Sequence, residues 1–191
     1  YRNTGVGHAA LQGNTTGHGN TALGRNALVS NTTGIENIAI GKHALYSQTT
    51  TSKNTAVGVA SMYHNSTGYS NSTFGFNAGA YNTTGINNTG IGAYALAAYG
   101  GTGAAFQTGD NNTALGSYAL YKNQTGTGQV AVGTEALISN TTGSINTAVG
   151  HNALHDNTTG TANVAVGVNA LDANTTASNN VAIGNDVLTS S

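Results

Sequence analysis

Asn-Thr-Ala-Val-Gly-His-Asn-Ala-Leu-His-Asp-Asn-Thr-Thr-Gly-Thr-Ala, residues 146–162, decides the fold, because the chain repeats this phrase from end to end. Its glycine after the apolar residue anchors every copy: Gly7, Gly24, Gly41, Gly58, Gly75, Gly92, Gly116, Gly133, Gly150, Gly167 and Gly184. Nine of the ten intervals are 17 residues, and the step from Gly92 to Gly116 is 24. A short fixed period is the mark of a stacked repeat architecture.

Positions are counted from the anchor glycine. Position −1 is always apolar and mostly branched at Cβ, as in Val57, Ile91, Val149 and Ile183, which suits a buried strand. Position −2 is alanine in eight copies, and Gly5, Thr73 and Gly90 are its variants. Neighbouring side chains of a strand point to opposite faces. The expectation is an interior face of Val, Ile and Leu and a flat alanine face open to another layer or chain. Positions +3 and +4 are typically Ala-Leu, as in Ala27-Leu28 and Ala153-Leu154. A helix there would be too short to hold itself together, and turn residues bound it on both sides. The glycine itself, required in all copies, points to positive φ or a corner with no room for Cβ.

Two amide columns complete the phrase. Position −4 is asparagine in ten copies, with Gln129 as the exception, and position +7 holds a second asparagine file. In a register-matched stack each file forms a ladder of amides. The charged residues fall elsewhere: Arg25 and Lys42 at +1, Glu135 and Asp186 at +2, Asp172 at +5, Asp156 at +6. These variable columns read as the solvated rim.

The columns therefore predict an all-β chain: a parallel β-solenoid, or β-roll, of about eleven 17-residue coils, each with two short strand-like segments. Residues 1–191 form a single repeat domain, with coils 1–6 over roughly 1–96, an inserted loop over roughly 97–111 and coils 7–11 over roughly 112–191. Ten steps of the inter-strand spacing give a rod about 50 Å long. The interior is thin, so ladders and association with further copies of the chain are expected to support it. Neither end departs from the repeat as a cap would, so the expectation is a stretch of a longer fibre or copies meeting end to end.

Composition excludes several function classes. Only 6% of residues are charged and the formal net charge is −1, which gives no electrostatic case for nucleic acid. The chain has no cysteine and no proline. No apolar run approaches the roughly 18 residues of a membrane helix. The six histidines show no convincing metal-ligand spacing, no cofactor is indicated, and no nucleophile with its base is visible, so the chain does not read as an enzyme.

The phrase resembles the head repeats of trimeric autotransporter adhesins, which carry a Ser/Asn-Val-Ala-Ile-Gly-x-x-Ala pattern. Asn180-Val181-Ala182-Ile183-Gly184 and Asn163-Val164-Ala165-Val166-Gly167 carry the resemblance best. It is also similar to the Asn-Thr-Ala-x-Gly-x-x-Ala-Leu-x-x-Asn-Thr-Thr-Gly arrays of phage-tail-fibre-like bacterial surface proteins. The adhesin heads use a shorter repeat. The resemblance spans essentially the whole chain and implies a homotrimeric β-roll in an extended fibre, extracellular, on a cell surface or a virion.

The functional expectation is thus a rigid rod that displays or forms a binding surface. An alternative is a module that binds a glycan or a protein. Its candidate residues are Tyr99 and Phe106 in the insert, and Tyr46, Tyr63 and Tyr121 in the +5 column. The bland reading of these rings is that they pack on the rod or between chains. The +7 asparagines Asn14, Asn31, Asn65, Asn82, Asn123, Asn140, Asn157 and Asn174 all sit in Asn-x-Ser/Thr sequons, which raises glycosylation, although the same residues suit corners and ladders. Threonine pairs such as Thr32-Thr33 and Thr141-Thr142 raise ice binding, and Ile38, Val130, Val164 and Val181 interrupt the other threonine file.

Overall fold

The computed structural model describes residues 2–98 and 106–189. Eleven strands of three residues each, β1 (Thr4–Val6), β2 (Thr21–Leu23), β3 (Ile38–Ile40), β4 (Thr55–Val57), β5 (Ser72–Phe74), β6 (Thr89–Ile91), β7 (Thr113–Leu115), β8 (Val130–Val132), β9 (Thr147–Val149), β10 (Val164–Val166) and β11 (Val181–Ile183), form one parallel sheet in sequence order. Each repeat lies directly on the next, as in Ala148 opposite Ala165 and Ala165 opposite Ala182. The chain is a β-solenoid. The longer repeat does not disturb the stack: Thr89 pairs Thr113 and Ile91 pairs Leu115.

The two faces of the sheet are the reverse of the sequence expectation. The central residue of the strand, position −2, is buried in ten of the eleven strands, and the flanking positions −3 and −1 are buried in none. Alanine lines the interior; valine, isoleucine and leucine face outward. The reason is the period of two. Positions −4 and −2 share a parity, so the buried asparagine file and the alanine file enter the coil together. A 17-residue coil is narrow. Its interior is filled by Ala at −2, Ala at +3 and Leu at +4, such as Ala131, Ala136 and Leu137, all with no exposed surface.

The second arm of the coil is not a strand. Residues at +2 and +4 have left-handed backbone in every coil, for example Glu135 (φ 60°) and Leu137 (φ 53°), and −5 joins them from the second coil on. Left-handed residues at alternate positions curl the arm through successive tight turns, closed by bonds such as Ala136 N to Gly133 O and Asn140 N to Leu137 O. The arm still bonds to its neighbours: Leu137 N donates to Ala153 O, and Glu135 N donates back to Ser117 O. Left-handed backbone costs a non-glycine residue about 1–2 kcal/mol; here the buried leucine and the bonds to both neighbouring coils hold it in place.

The anchor glycine answers two demands at once. Gly133 has φ of 137°, and a Cβ there would sit 2.3 Å from Gly150 O in the next coil. The same close approach recurs along the stack, glycine over glycine. No helix among the described residues is long and apolar enough to cross a membrane.

Candidate functional site

Two amide ladders run inside the rod. In the −4 file the side-chain oxygen accepts the backbone N–H of the next coil: Asn37 N to Asn20 Oδ1 at 3.0 Å, Asn54 N to Asn37 Oδ1 at 3.0 Å, and Asn112 N to Asn88 Oδ1 at 2.9 Å across the insertion. In the +7 file amide bonds to amide, as Asn157 Nδ2 donates to Asn140 Oδ1 at 3.0 Å and Asn174 Nδ2 to Asn157 Oδ1 at 2.9 Å. Each +7 nitrogen also donates to the corner carbonyl three residues on, as Asn140 does to Gly143 O.

These bonds bear on the sequons. Asn31, Asn65, Asn82, Asn123, Asn140, Asn157 and Asn174 are buried, and only Asn14, in the first coil, is partly exposed. Their nitrogens point into the rod and are bonded there, where no oligosaccharide could be accommodated. The folded rod therefore does not present the seven buried asparagines for glycosylation. The threonine file that follows lies at the surface, its hydroxyls bonded along the rod to the next coil: Thr32 Oγ1 donates to Thr49 O and Thr158 Oγ1 to Thr175 O, both at 3.0 Å. No described cluster of His, Cys, Asp and Glu could hold a metal ion.

Two outer surfaces remain. The first is the sheet face, where Val6, Leu23, Phe74, Ile91 and Ile183 at −1 are 40–69% exposed. The whole face, three residues wide and eleven strands long, covers about 500 Å² from strand geometry. Its apolar part is the −1 file together with Ile38, Val130, Val164 and Val181 of the −3 file, which is otherwise Thr or Ser. Apolar strips of more than a few hundred Å² on a soluble protein mark interaction sites.

The second surface is an aromatic groove on the turn arm of coils 4 to 7. The +5 column carries Tyr46 and Tyr63, then Ala80 and Ala97, then Tyr121. Tyr46 and Tyr63 stack at 4.8 Å with planes 3° apart, the coil spacing written in rings. Two alanines in succession leave a gap in that stack. Ala80 and Ala97, both buried, floor it. Tyr63 and His64 stand at one end, Tyr118 and Tyr121 at the other, with Tyr81 and Tyr94 beside them around a cavity of about 420 Å³. His64 lies against Tyr81 at 4.9 Å and meets Tyr63 edge-on at 4.7 Å. Tyr94 stacks on Tyr118 at 5.0 Å, and Tyr118 meets Tyr121 edge-on at 5.1 Å. None of the residues lining the cavity carries a formal charge other than what His64 could acquire, and burial pushes the His64 pKa below its usual value.

The core is also altered beneath the groove. Gly79 takes the place of the buried leucine, and Thr73 takes the place of alanine in the same coil. A Cβ on Gly79 would meet Thr73 Cγ2 at 3.0 Å and Met62 Cγ at 3.2 Å, so these two side chains occupy the space the leucine leaves. Thr73 Oγ1 in turn bonds Ser61 Oγ at 2.6 Å.

Of the five rings singled out from sequence, Tyr63 and Tyr121 line the groove and Tyr46 backs Tyr63. Phe106 is half exposed and meets His64 edge-on at 6.2 Å. Tyr99 and the stretch 99–105 lie outside the described residues. The sequence reading missed His64 and Tyr81 at +6 and Tyr94 and Tyr118 at +2. The signal was present: two alanines in a column otherwise carrying large residues. Comparison with protein-family models, with curated proteins and with solved structures finds no match.

Proposed function

We propose that this chain is a structural segment of an extracellular fibre or adhesin, on a cell surface or a virion, in which copies of the rod associate side by side, as a homotrimer, through the outer sheet face. The observation that carries the reading is the outward apolar column at −1, present in all eleven strands and buried in none. It is exposed at Val6, Leu23, Phe74, Ile91 and Ile183 and half-buried in the rest. A stack of this kind is stiff because every coil is bonded to both neighbours, and it tolerates elongation by addition of repeats. Charge confined to the rim supports the same reading: Arg25, Lys42, Lys53 and Lys122 are all exposed, on columns away from the strand. The chain is proposed to have no catalytic role.

Sedimentation equilibrium of the purified chain at micromolar concentration tests this. The expected result is a single species of three chains. Val149→Lys together with Val132→Lys, both on the outward face, should return it to a monomer with an unchanged β spectrum. A monomeric wild-type chain at the same concentration would overturn the association.

A second reading, a binding module, is favoured by the aromatic groove of coils 4 to 7. The rod then serves as the support that holds the groove in a fixed shape.

A further inference from the structure

We infer that the groove between Tyr63 and Tyr121 is a saccharide site that takes a neutral pyranose unit of an oligosaccharide. This extends the binding reading above by naming the ligand class, and it does not depend on how many chains assemble.

Three observations carry it. The first is the gap itself. Aromatic rings on this arm stack at the coil spacing, and coils 5 and 6 withhold theirs at +5, with Ala80 and Ala97. A slot opened by missing rings in a ring stack takes a flat object with an apolar face. A pyranose has such a face, made by its axial C–H bonds, and aromatic rings meet it by stacking. The second is the mixture of groups around the slot. Tyr63, Tyr94 and Tyr118 offer broad apolar rings that end in hydroxyls, and Asn77 adds an amide to the lining. Tyrosine is suited to a site whose ligand is apolar on one side and wet on the other. The third is charge. No lysine, arginine, aspartate or glutamate lines the cavity, which disfavours anionic sugars and nucleic acid, whose phosphates are matched by Lys and Arg. The volume, about 420 Å³, is within the roughly 300–1,000 Å³ usual for small-molecule clefts.

The rigidity of the floor matters as much as the rings. Ala80 N is held by Asn77 O at 3.2 Å and Ala97 N by Tyr94 O at 3.3 Å, each inside one of the tight turns. The floor is therefore fixed by backbone that is bonded before any ligand arrives, which lowers the ordering cost of binding.

The test uses the full chain against a panel of neutral gluco-, galacto- and manno-oligosaccharides with their N-acetylated forms, beside sialylated and sulfated glycans and unrelated peptides. Hits are titrated by calorimetry. Binding to one or more neutral members is expected, weakened at least tenfold by Tyr118→Ala and by Tyr63→Ala. Ala80→Tyr fills the slot with the residue the same column carries at Tyr46 and Tyr63, so it should keep the melting temperature and still weaken binding at least tenfold. Binding confined to anionic glycans or to peptides, no binding at all, or binding that Ala80→Tyr leaves intact would each overturn the assignment. Sedimentation of the same samples reports on association independently, so the groove can fail while the rod reading stands, and the reverse.

Discussion

Gln129 Oε1 accepts a hydrogen bond from Asn146 Nδ2 at 3.3 Å, whereas one coil further on Asn146 Oδ1 takes the backbone N–H of Asn163 at 2.9 Å. The extra methylene of glutamine carries its amide past the ladder. Gln129 Nε2 turns instead to Asn123 Oδ1 at 3.0 Å. Other asparagines in this file donate to a corner carbonyl 14 residues ahead, as Asn112 does to Gly126 O and Asn146 to Gly160 O, or 21 ahead across the longer repeat, as Asn88 does to Gly109 O. Gln129→Asn restores both links, with Asn146 N above and Gly143 O at the corner. Since a net hydrogen bond is worth about 0.5–1.5 kcal/mol, the variant should be more stable by about 1 kcal/mol in urea denaturation. An unchanged or lower midpoint would mean that the ladder adds little beyond packing.

The glycines separate into two kinds. At Gly133 both φ and space forbid a side chain, so Gly133→Ala should cost at least the roughly 1–3 kcal/mol of a strained backbone residue, and more through the clash with Gly150 O. Gly128 also has left-handed backbone (φ 65°), but an added Cβ would find nothing nearer than Ile145 Cγ1 at 4.0 Å. The next coils place Ile145 and Ala162 in the same conformation. Gly128→Asn should therefore leave the melting temperature nearly unchanged, since asparagine adopts this backbone readily.

The orientation of the strand has its own test. Ala148 has no exposed surface, and an added isopropyl group must push into packed interior, so Ala148→Leu should destabilise by about 1–3 kcal/mol. Val149 beside it faces out, and Val149→Thr should change the stability of an isolated chain by less than about 0.5 kcal/mol. Leu137→Ala, which empties the core, should cost about 2–5 kcal/mol. If Val149→Thr proves the costly change and Ala148→Leu the mild one, the faces are assigned the wrong way round.

The repeat made the architecture legible. The 17-residue register, the glycine column and the two asparagine files all appear in the stack where the sequence places them. The facing of the strand was not legible, because both of its faces are apolar. Size invited the reading that valine is inside, whereas coil width admits only alanine. The parity of Asn146 with Ala148 held the answer, since a laddered amide has to be buried with its neighbour of the same face. The left-handed leucines were illegible for a different reason: nothing in Leu137 itself favours positive φ, and the conformation is imposed by bonds to the coils on either side. The groove was legible only as an absence, Ala80 and Ala97 between Tyr63 and Tyr121 in the +5 column. Breaks in the ladders explain two orphaned buried oxygens. Asn31 Oδ1 lacks a partner because Gln48 Nε2 bonds Thr51 O instead, and Asn82 Oδ1 lacks one where the longer repeat interrupts the +7 file.

Acid should loosen the rod near the groove. Burial among Tyr63, Tyr81 and Phe106 lowers the His64 pKa from its usual 6.5. His43, edge-on to Tyr46 and Tyr63, is lowered by burial first and then by the charges of Lys42 and Arg25. A histidine whose folded pKa lies below its unfolded value binds fewer protons when folded. Its stabilising contribution is complete above the unfolded pKa and is lost as pH falls through the folded one. The melting temperature should therefore decline as pH is lowered from 7.5 to 5.0. His64→Gln should flatten part of that decline, and raising salt should flatten the part that His43 owes to Lys42 and Arg25. A decline in His64→Gln as steep as in the wild type would show that the acid response comes from elsewhere in the rod.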